Sequence, residues 1–132
     1  VDNDFFVRYP DMWDAVTKAR AIQQRGGSVT LTMPTGLKRQ VAGEHLKATR
    51  ILNTLIQGTA AAGLKFGLLD LQERGEDLWL GATVHDELVA CVPEPDAVDY
   101  GKSIEAGMIR GMAQAINAPI KVGVGVGDYW TH

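Results

Sequence analysis

Apolar residues recur every three to four positions in three segments of the chain, which is the spacing of amphipathic α-helices. The first segment, residues 10–23, begins with a proline and is followed by a Gly-Gly pair, two signals typical of a helix start and stop. The others are residues 43–73 and residues 96–116. The predicted core face of the last helix is Val98, Gly101 or Ile104, Met108, Met112 and Ala115 or Ile116.

The long helix over residues 43–73 shows the clearest stripe. The stripe consists of Leu52, Ile56, Ala60, Leu64, Leu68 and Leu71. Gly58, Gly63 and Gly67 interrupt the helix, and each costs about 1 kcal/mol relative to alanine in a helix interior. We therefore expect another backbone to approach the helix closely at these glycines.

Five shorter apolar segments have the length and composition of β-strands. Residues 28–33 and 37–41 flank a Pro-Thr-Gly turn, residues 78–84 and 87–92 flank His-Asp, and residues 120–126 alternate valine with glycine. Two hairpins between helices predict an α+β fold with an antiparallel sheet. A chain of 132 residues with 45% hydrophobic residues suits a single domain over residues 1–132.

Composition excludes several classes of protein. The one cysteine, Cys91, rules out an internal disulfide and a multi-cysteine zinc site, and its apolar surroundings predict a core position. No apolar run approaches the roughly 18 residues of a membrane span, and no secretory signal pattern is present. These features predict a cytoplasmic protein. Because the sequence begins with Val1 rather than methionine, we expect it to be a piece of a longer protein.

The charge is distributed unevenly along the chain. Residues 1–66 carry nine basic and five acidic side chains, whereas residues 67–132 carry four and eleven. The split is compatible with a polyanion-binding face beside an acidic, metal-binding face. Charge alone favours the alternative, two solvated surfaces of opposite sign.

The predicted hairpin over residues 78–92 combines apolar strands with a charged turn. If His85 and Asp86 form the turn, Val84 pairs with Glu87, and two carboxylates and an imidazole are fixed at one tip. Hard divalent cations such as Mg²⁺ prefer carboxylate oxygens. The alternative is an ordinary solvent-exposed polar turn.

Arg50, Asn53 and Gln57 form a second candidate site. At about 100° per residue they share one face of the long helix. All three side chains can donate hydrogen bonds to the acceptors that every base pair presents in the minor groove. A solvated helix face is the alternative.

Four segments in order resemble the C-terminal palm region of family A DNA polymerases, the bacterial DNA polymerase I family. Residues 53–61, N-T-L-I-Q-G-T-A-A, resemble the family's N-x-x-x-Q-G-T-A-A helix, and residues 84–87, V-H-D-E, resemble its motif C. Residues 5–10, F-F-V-R-Y-P, and the closing segment 122–130 are similar to two further family segments. The resemblance covers nearly the whole chain.

The resemblance implies a role for each residue of the charged turn. Asp86 matches the motif C carboxylate that binds the two catalytic Mg²⁺ ions. Glu87 matches its acidic neighbour, whose role is secondary, and His85 matches a residue that contacts the primer end. The implied reaction is template-directed nucleotidyl transfer from a dNTP to a primer 3′-hydroxyl.

The helix residues match the family less uniformly. Gln57 and Asn53 match residues that contact the minor groove near the primer terminus. Arg50 departs from the pattern, because the family's arginine lies four residues before the asparagine, where this chain has Thr49. Ala62 stands where the bacterial pattern has aspartate.

The resemblance also implies partners. Primer-template DNA would contact Lys38, Arg39 and Lys47 through its phosphates. In the family, the second metal-binding aspartate and the fingers precede the F-x-x-R-Y-P segment, so the remainder of a polymerase of bacterial or phage origin would supply them. We therefore expect the isolated chain to be inactive, and either to form a homodimer or to be prone to aggregation. The alternative is a non-catalytic α+β module that self-associates or binds DNA weakly.

Overall fold

A computed structural model describes Val7, residues 10–43 and residues 47–130. The fold is α+β, as predicted, and none of the helices in the described part is both long and apolar enough to cross a membrane. The elements in chain order are α1 (Pro10–Gln24), β1 (Ser28–Thr32), β2 (Lys38–Ala42), α2 (Ala48–Glu73), β3 (Leu80–Val84), β4 (Glu87–Ala90), a 3-10 turn (Glu94–Asp96) and α3 (Ala97–Ala115).

The chain divides into two compact units, residues 1–58 and residues 59–132. The prediction of one domain over residues 1–132 stays a prediction. In the first unit, β1 and β2 pair antiparallel from Ser28 opposite Ala42 to Thr32 opposite Lys38. A core cluster of this unit consists of Ala19, Leu31, Val41 and Ile51, and Val16 and Met33 are buried as well.

In the second unit, β3 and β4 form a separate two-stranded antiparallel sheet. Val84 lies opposite Glu87 and Leu80 lies opposite Ala90, with an irregularity between Leu80 and Ala82. The Cys91 backbone N–H donates to the Trp79 carbonyl oxygen at 3.0 Å, which extends the pairing beyond the strand ends. The predicted antiparallel pairing is therefore confirmed as two hairpins.

Helices α2 and α3 pack closely at glycines, and Leu71, a residue of the predicted stripe, lies against Gly107. Gly67 and Gly111 face each other so closely that a methyl group on Gly111 would overlap the Gly67 backbone. A methyl group on Gly67 would lie 3.1 Å from the Met108 Cα atom. Because only helices without side chains at the crossing approach so closely, the predicted backbone contact is confirmed here. At Gly58 the prediction of a close backbone is wrong, because the nearest atoms belong to the Met33 side chain.

The predicted stripe is confirmed at Leu71 and wrong at Ile56. Ile56 is 55% exposed, whereas Gly63, Gly67 and Leu71 are buried. Hydrophobic spacing alone counts a leucine as core and a glycine as neutral, although here the small residues occupy the contact. In α3, the predicted core position Val98 is 59% exposed, whereas Gly101 and Ala115 of the same predicted face are buried, as are Gly107 and Gly111.

Two further predictions in the second unit are wrong. Residues 120–126 belong to no strand, because the chain here has no strand partner among the described residues and alternating glycines offer little side-chain packing. Cys91 is exposed rather than buried. It follows directly on β4, a strand with no third strand beside it in the described part of the chain, so nothing in that sheet covers it.

A polar network joins the end of α2 to α3. The Arg110 guanidinium donates to the Asp70 carboxylate at 2.9–3.1 Å. Arg74 lies 2.9 Å from the same carboxylate and 2.8 Å from that of Glu76. The Ser103 hydroxyl donates to Glu76 at 2.6 Å. The hydrogen bonds from Arg110 hold the pKa of Asp70 below its ordinary value, and the charges of both arginines act in the same direction.

This lowered pKa predicts an acid-dependent stability. A carboxylate with a depressed folded-state pKa stabilises the fold above its unfolded pKa of about 3.9 and loses that contribution as the pH falls through the folded value. Asp70→Asn should therefore lower the urea midpoint at pH 7, and its difference from wild type should shrink as the pH falls below about 4. When Arg110→Gln has already removed the main partner of Asp70, Asp70→Asn should lower the urea midpoint at pH 7 by a smaller amount. A difference that is constant with pH would contradict this role of Asp70.

Candidate functional site

The charged turn lies at the exposed tip of the β3–β4 hairpin. His85 and Asp86 connect the strands, and Val84 is paired with Glu87, which confirms the predicted register. His85, Asp86 and Glu87 are all exposed. Val84 and Leu88, the apolar strand residues next to the turn, are partly buried. The acidic residues therefore lie at the end of two paired strands.

His85 explains how this turn forms without glycine or asparagine. Its φ angle is +55°, the left-handed region that two-residue hairpin turns require. Histidine is among the non-glycine residues that are enriched there, although the conformation costs some strain. Asp86 is consequently fixed at the apex of the turn, next to the Glu87 backbone that the strand pairing holds.

The Glu87 side chain has a partner far away in the sequence. The Trp130 indole N–H donates to a Glu87 carboxylate oxygen, with 3.3 Å between Nε1 and Oε2. The two residues are 43 positions apart. Sequence reasoning missed this contact, because the only available signal was an aromatic residue near the end of the chain.

The donor chemistry of the tip fits Mg²⁺. Sites that transfer phosphoryl groups hold Mg²⁺ through one or two carboxylates together with substrate phosphates, rather than through an all-protein cage. Asp86 and Glu87 provide two adjacent carboxylates. Within the described part of the chain, no group of three or more His, Cys, Asp or Glu residues is arranged to hold a metal ion. Asp86 is therefore suited to be one ligand of a shared site, not a complete site.

Helix α2 presents the predicted polar face in the first unit. Arg50, Asn53 and Gln57 are all exposed, and their spacing puts them on one side of the helix. Ile51 and Thr54, which are only 1% and 8% exposed, lie on the buried side. The structure thus leaves the three side chains available as hydrogen-bond donors.

The three predicted phosphate-contacting residues are also exposed. Lys38 and Arg39 lie on β2, opposite Thr32 and Leu31 respectively, next to the turn of the hairpin. Because neighbouring strand residues point to opposite faces, the two cations flank the strand instead of forming one cluster. Lys47 lies immediately before α2.

Comparison with known proteins decides the family. The family model described as DNA polymerase family A matches residues 2–132. The chain belongs to DNA polymerase family A. A DNA polymerase theta of Caenorhabditis elegans is 24% identical over 132 residues, which cover 96% of this chain and 8% of that protein. No solved structure matches.

The family A match covers both compact units and all of the described residues. It confirms the resemblance inferred from the two central motifs and the two outer segments. The chain spans about 8% of the length of the curated relative it matches. The roles of Asp86, Glu87, His85 and the predicted DNA-contacting residues stay predictions that the exposed geometry allows.

Proposed function

We propose that this chain forms the part of a family A polymerase that carries motif C, and that it takes part in template-directed nucleotidyl transfer. The observation that supports the proposal most is the position of Asp86 at the exposed apex of an ordered hairpin, within a chain that the family model matches over residues 2–132. Bound Mg²⁺ would stabilise charge on the reacting phosphate. Asp86 would hold it there.

The other residues would position the substrates. His85, fixed beside Asp86 by its left-handed backbone, would contact the primer end. Asn53 and Gln57 would donate to minor-groove acceptors, which are shared by all base pairs and so suit an enzyme that copies any sequence. Arg50 would add a third donor on the same face.

The complete active site would include groups outside residues 1–132. A two-metal site needs carboxylates from more than one strand, and the described residues contain no group of three or more His, Cys, Asp or Glu side chains arranged to hold a metal ion. The proposed partners are therefore primer-template DNA, a dNTP and the rest of the polymerase, and we expect the 132-residue chain alone not to extend a primer. Dimerisation of the isolated chain, its cytoplasmic location and its bacterial or phage origin stay proposals.

Primer extension tests the proposed function. The complete polymerase is compared with its Asp86→Asn variant, using Mg²⁺, all four dNTPs and a labelled primer-template. Loss of extension with retained duplex binding supports the proposal. Extension at the wild-type rate would instead favour a non-catalytic module.

The basic face of the first unit makes a separate prediction about DNA binding. Removal of one phosphate-binding cation should lower the slope of log K against log salt by about 0.9. Lys38→Ala with Arg39→Ala should thus reduce the slope by up to about 1.8, equally for all duplex sequences. Fluorescence anisotropy with a labelled primer-template between low and physiological salt measures this slope.

A matched variant controls for net charge. Lys102→Ala with Lys121→Ala removes two exposed positive charges from the second unit and should leave the slope nearly unchanged. Gln57→Ala removes a neutral donor, so it should impair extension by the complete polymerase without changing the slope. Equal binding of wild type and the Lys38/Arg39 variant at low salt would show that DNA does not contact this face.

A further inference from the structure

We propose that Trp130 is a positioning residue of the active site, acting through Glu87. The inference rests on the proposed function, since it assigns a role beside the proposed metal ligand Asp86. The indole N–H of Trp130 donates to the Glu87 carboxylate across 43 residues of sequence. This bond restrains the acidic side chain that directly follows Asp86 in the hairpin.

The strand pairing and the indole restrain different parts of Glu87. Its backbone is fixed opposite Val84 at the end of the β3–β4 ladder. Its side chain has several rotatable bonds and projects from an exposed position. A donor 3.3 Å from Oε2 restricts rotation about these bonds, so the Glu87 charge stays at a defined place relative to Asp86.

A second contact positions the segment that precedes Trp130. A methyl group on Gly101, which is buried in α3, would lie 2.8 Å from the Val124 Cγ1 atom. Residues 117–127 belong to no helix or strand, so side-chain contacts such as this one place the segment. The absence of a side chain at Gly101 lets Val124 lie against α3, on the path to the hairpin tip.

The choice of donor suits a cation site. Arginine or lysine at this position would restrain Glu87 equally well but would cancel its negative charge and repel a divalent cation. The indole N–H is an uncharged donor, so it orients the carboxylate and leaves the negative potential of the tip intact. Trp130 is 50% exposed, which lets its N–H reach a carboxylate that is itself in solvent.

Trp130→Phe in the complete polymerase tests the proposal, since it keeps an aromatic ring and removes the donor. We expect the Mg²⁺ concentration for half-maximal primer extension to rise about three- to tenfold, as for the removal of one hydrogen bond. The rate at saturating Mg²⁺ should change less than about twofold. Tyr129→Phe, which removes a polar hydrogen from the neighbouring, 77% exposed aromatic residue, is the control and should leave both values unchanged.

A double-mutant cycle shows whether Trp130 acts through Glu87. In a Glu87→Gln background no charge remains to be oriented, so adding Trp130→Phe should change the Mg²⁺ requirement by less than about twofold. Full additivity of the two substitutions would overturn the proposal. So would a Mg²⁺ requirement of Trp130→Phe equal to that of wild type.

Tryptophan fluorescence of the 132-residue chain gives a readout that needs no activity. Glu87→Ala should shift the emission of the wild-type chain, because the indole loses its carboxylate partner. The same substitution in the Trp130→Phe chain should leave the emission of Trp13 and Trp79 unchanged. An identical emission change in both backgrounds would overturn the proposal. If Asp86→Asn retains activity, the proposed function fails, whereas an inactive Asp86→Asn with a wild-type-like Trp130→Phe rejects only this inference.

Discussion

Replacing Asp86 with asparagine in the complete polymerase should lower the rate of nucleotide addition about a thousandfold, which corresponds to about 4 kcal/mol of transition-state stabilisation. Asparagine has nearly the same shape but no negative charge, so it binds a hard divalent cation much more weakly. Because Asp86 is exposed at the turn apex, the substitution should leave the fold unchanged. Single-turnover primer extension at saturating dNTP measures the rate.

Asp96→Asn provides the matched control for this experiment. Asp96 is an exposed aspartate of the same unit whose side chain makes no capping hydrogen bond at the start of α3. Its substitution should change the rate by less than about twofold, since no cation-binding role is expected there. If both variants lost the rate of nucleotide addition to a similar extent, the effect would come from the loss of any negative charge. That result would contradict a specific role for Asp86.

The second large effect concerns stability. Gly111→Ala should lower the free energy of unfolding by about 3 kcal/mol or more, because the new methyl group would overlap the Gly67 backbone and force the helices apart. The gain of up to about 1 kcal/mol in helix propensity is too small to compensate. A loss of this size is a large part of a typical total of about 5–15 kcal/mol. Thermal unfolding followed by circular dichroism should show a midpoint roughly 10 °C lower.

Gly123→Ala is the appropriate comparison, since a methyl group there would meet no atom within 4 Å. Its midpoint should lie within a few degrees of wild type, in keeping with a surface change of about 0.5 kcal/mol or less. If Gly111→Ala were as stable as wild type, close glycine packing between α2 and α3 would not be a principal source of stability in this unit.

The hairpin tip could be predicted from the sequence because its determinants are local. Apolar strands, a two-residue polar gap and the pairing of Val84 with Glu87 follow from alternation and turn length. The left-handed backbone of His85 could not be predicted from the sequence, because the turn lacks the glycine or asparagine that usually marks this conformation. The exposed face of Arg50, Asn53 and Gln57 was also local, because helix periodicity alone determines it.

The features that could not be predicted depend on tertiary contacts. Close helix packing selects small residues, so Gly111 is buried, opposite to a ranking by hydrophobicity. The hydrogen bonds of Trp130 with Glu87 and of Arg110 with Asp70 span 43 and 40 residues. No local pattern marks such pairs. A Val-Gly alternation near the end similarly predicted a strand whose partner the described residues do not contain.

Iron-mediated cleavage would test most directly whether Asp86 holds a divalent cation. Fe²⁺ replaces Mg²⁺ in the complete polymerase with primer-template and dNTP, and ascorbate and peroxide generate hydroxyl radicals that cut the backbone near the bound ion. We expect a cut within a few residues of Asp86 that excess Mg²⁺ suppresses and Asp86→Asn abolishes. Cleavage elsewhere with none at the hairpin tip, or a cut at the tip unchanged in Asp86→Asn, would contradict the assignment of Asp86 as a metal ligand.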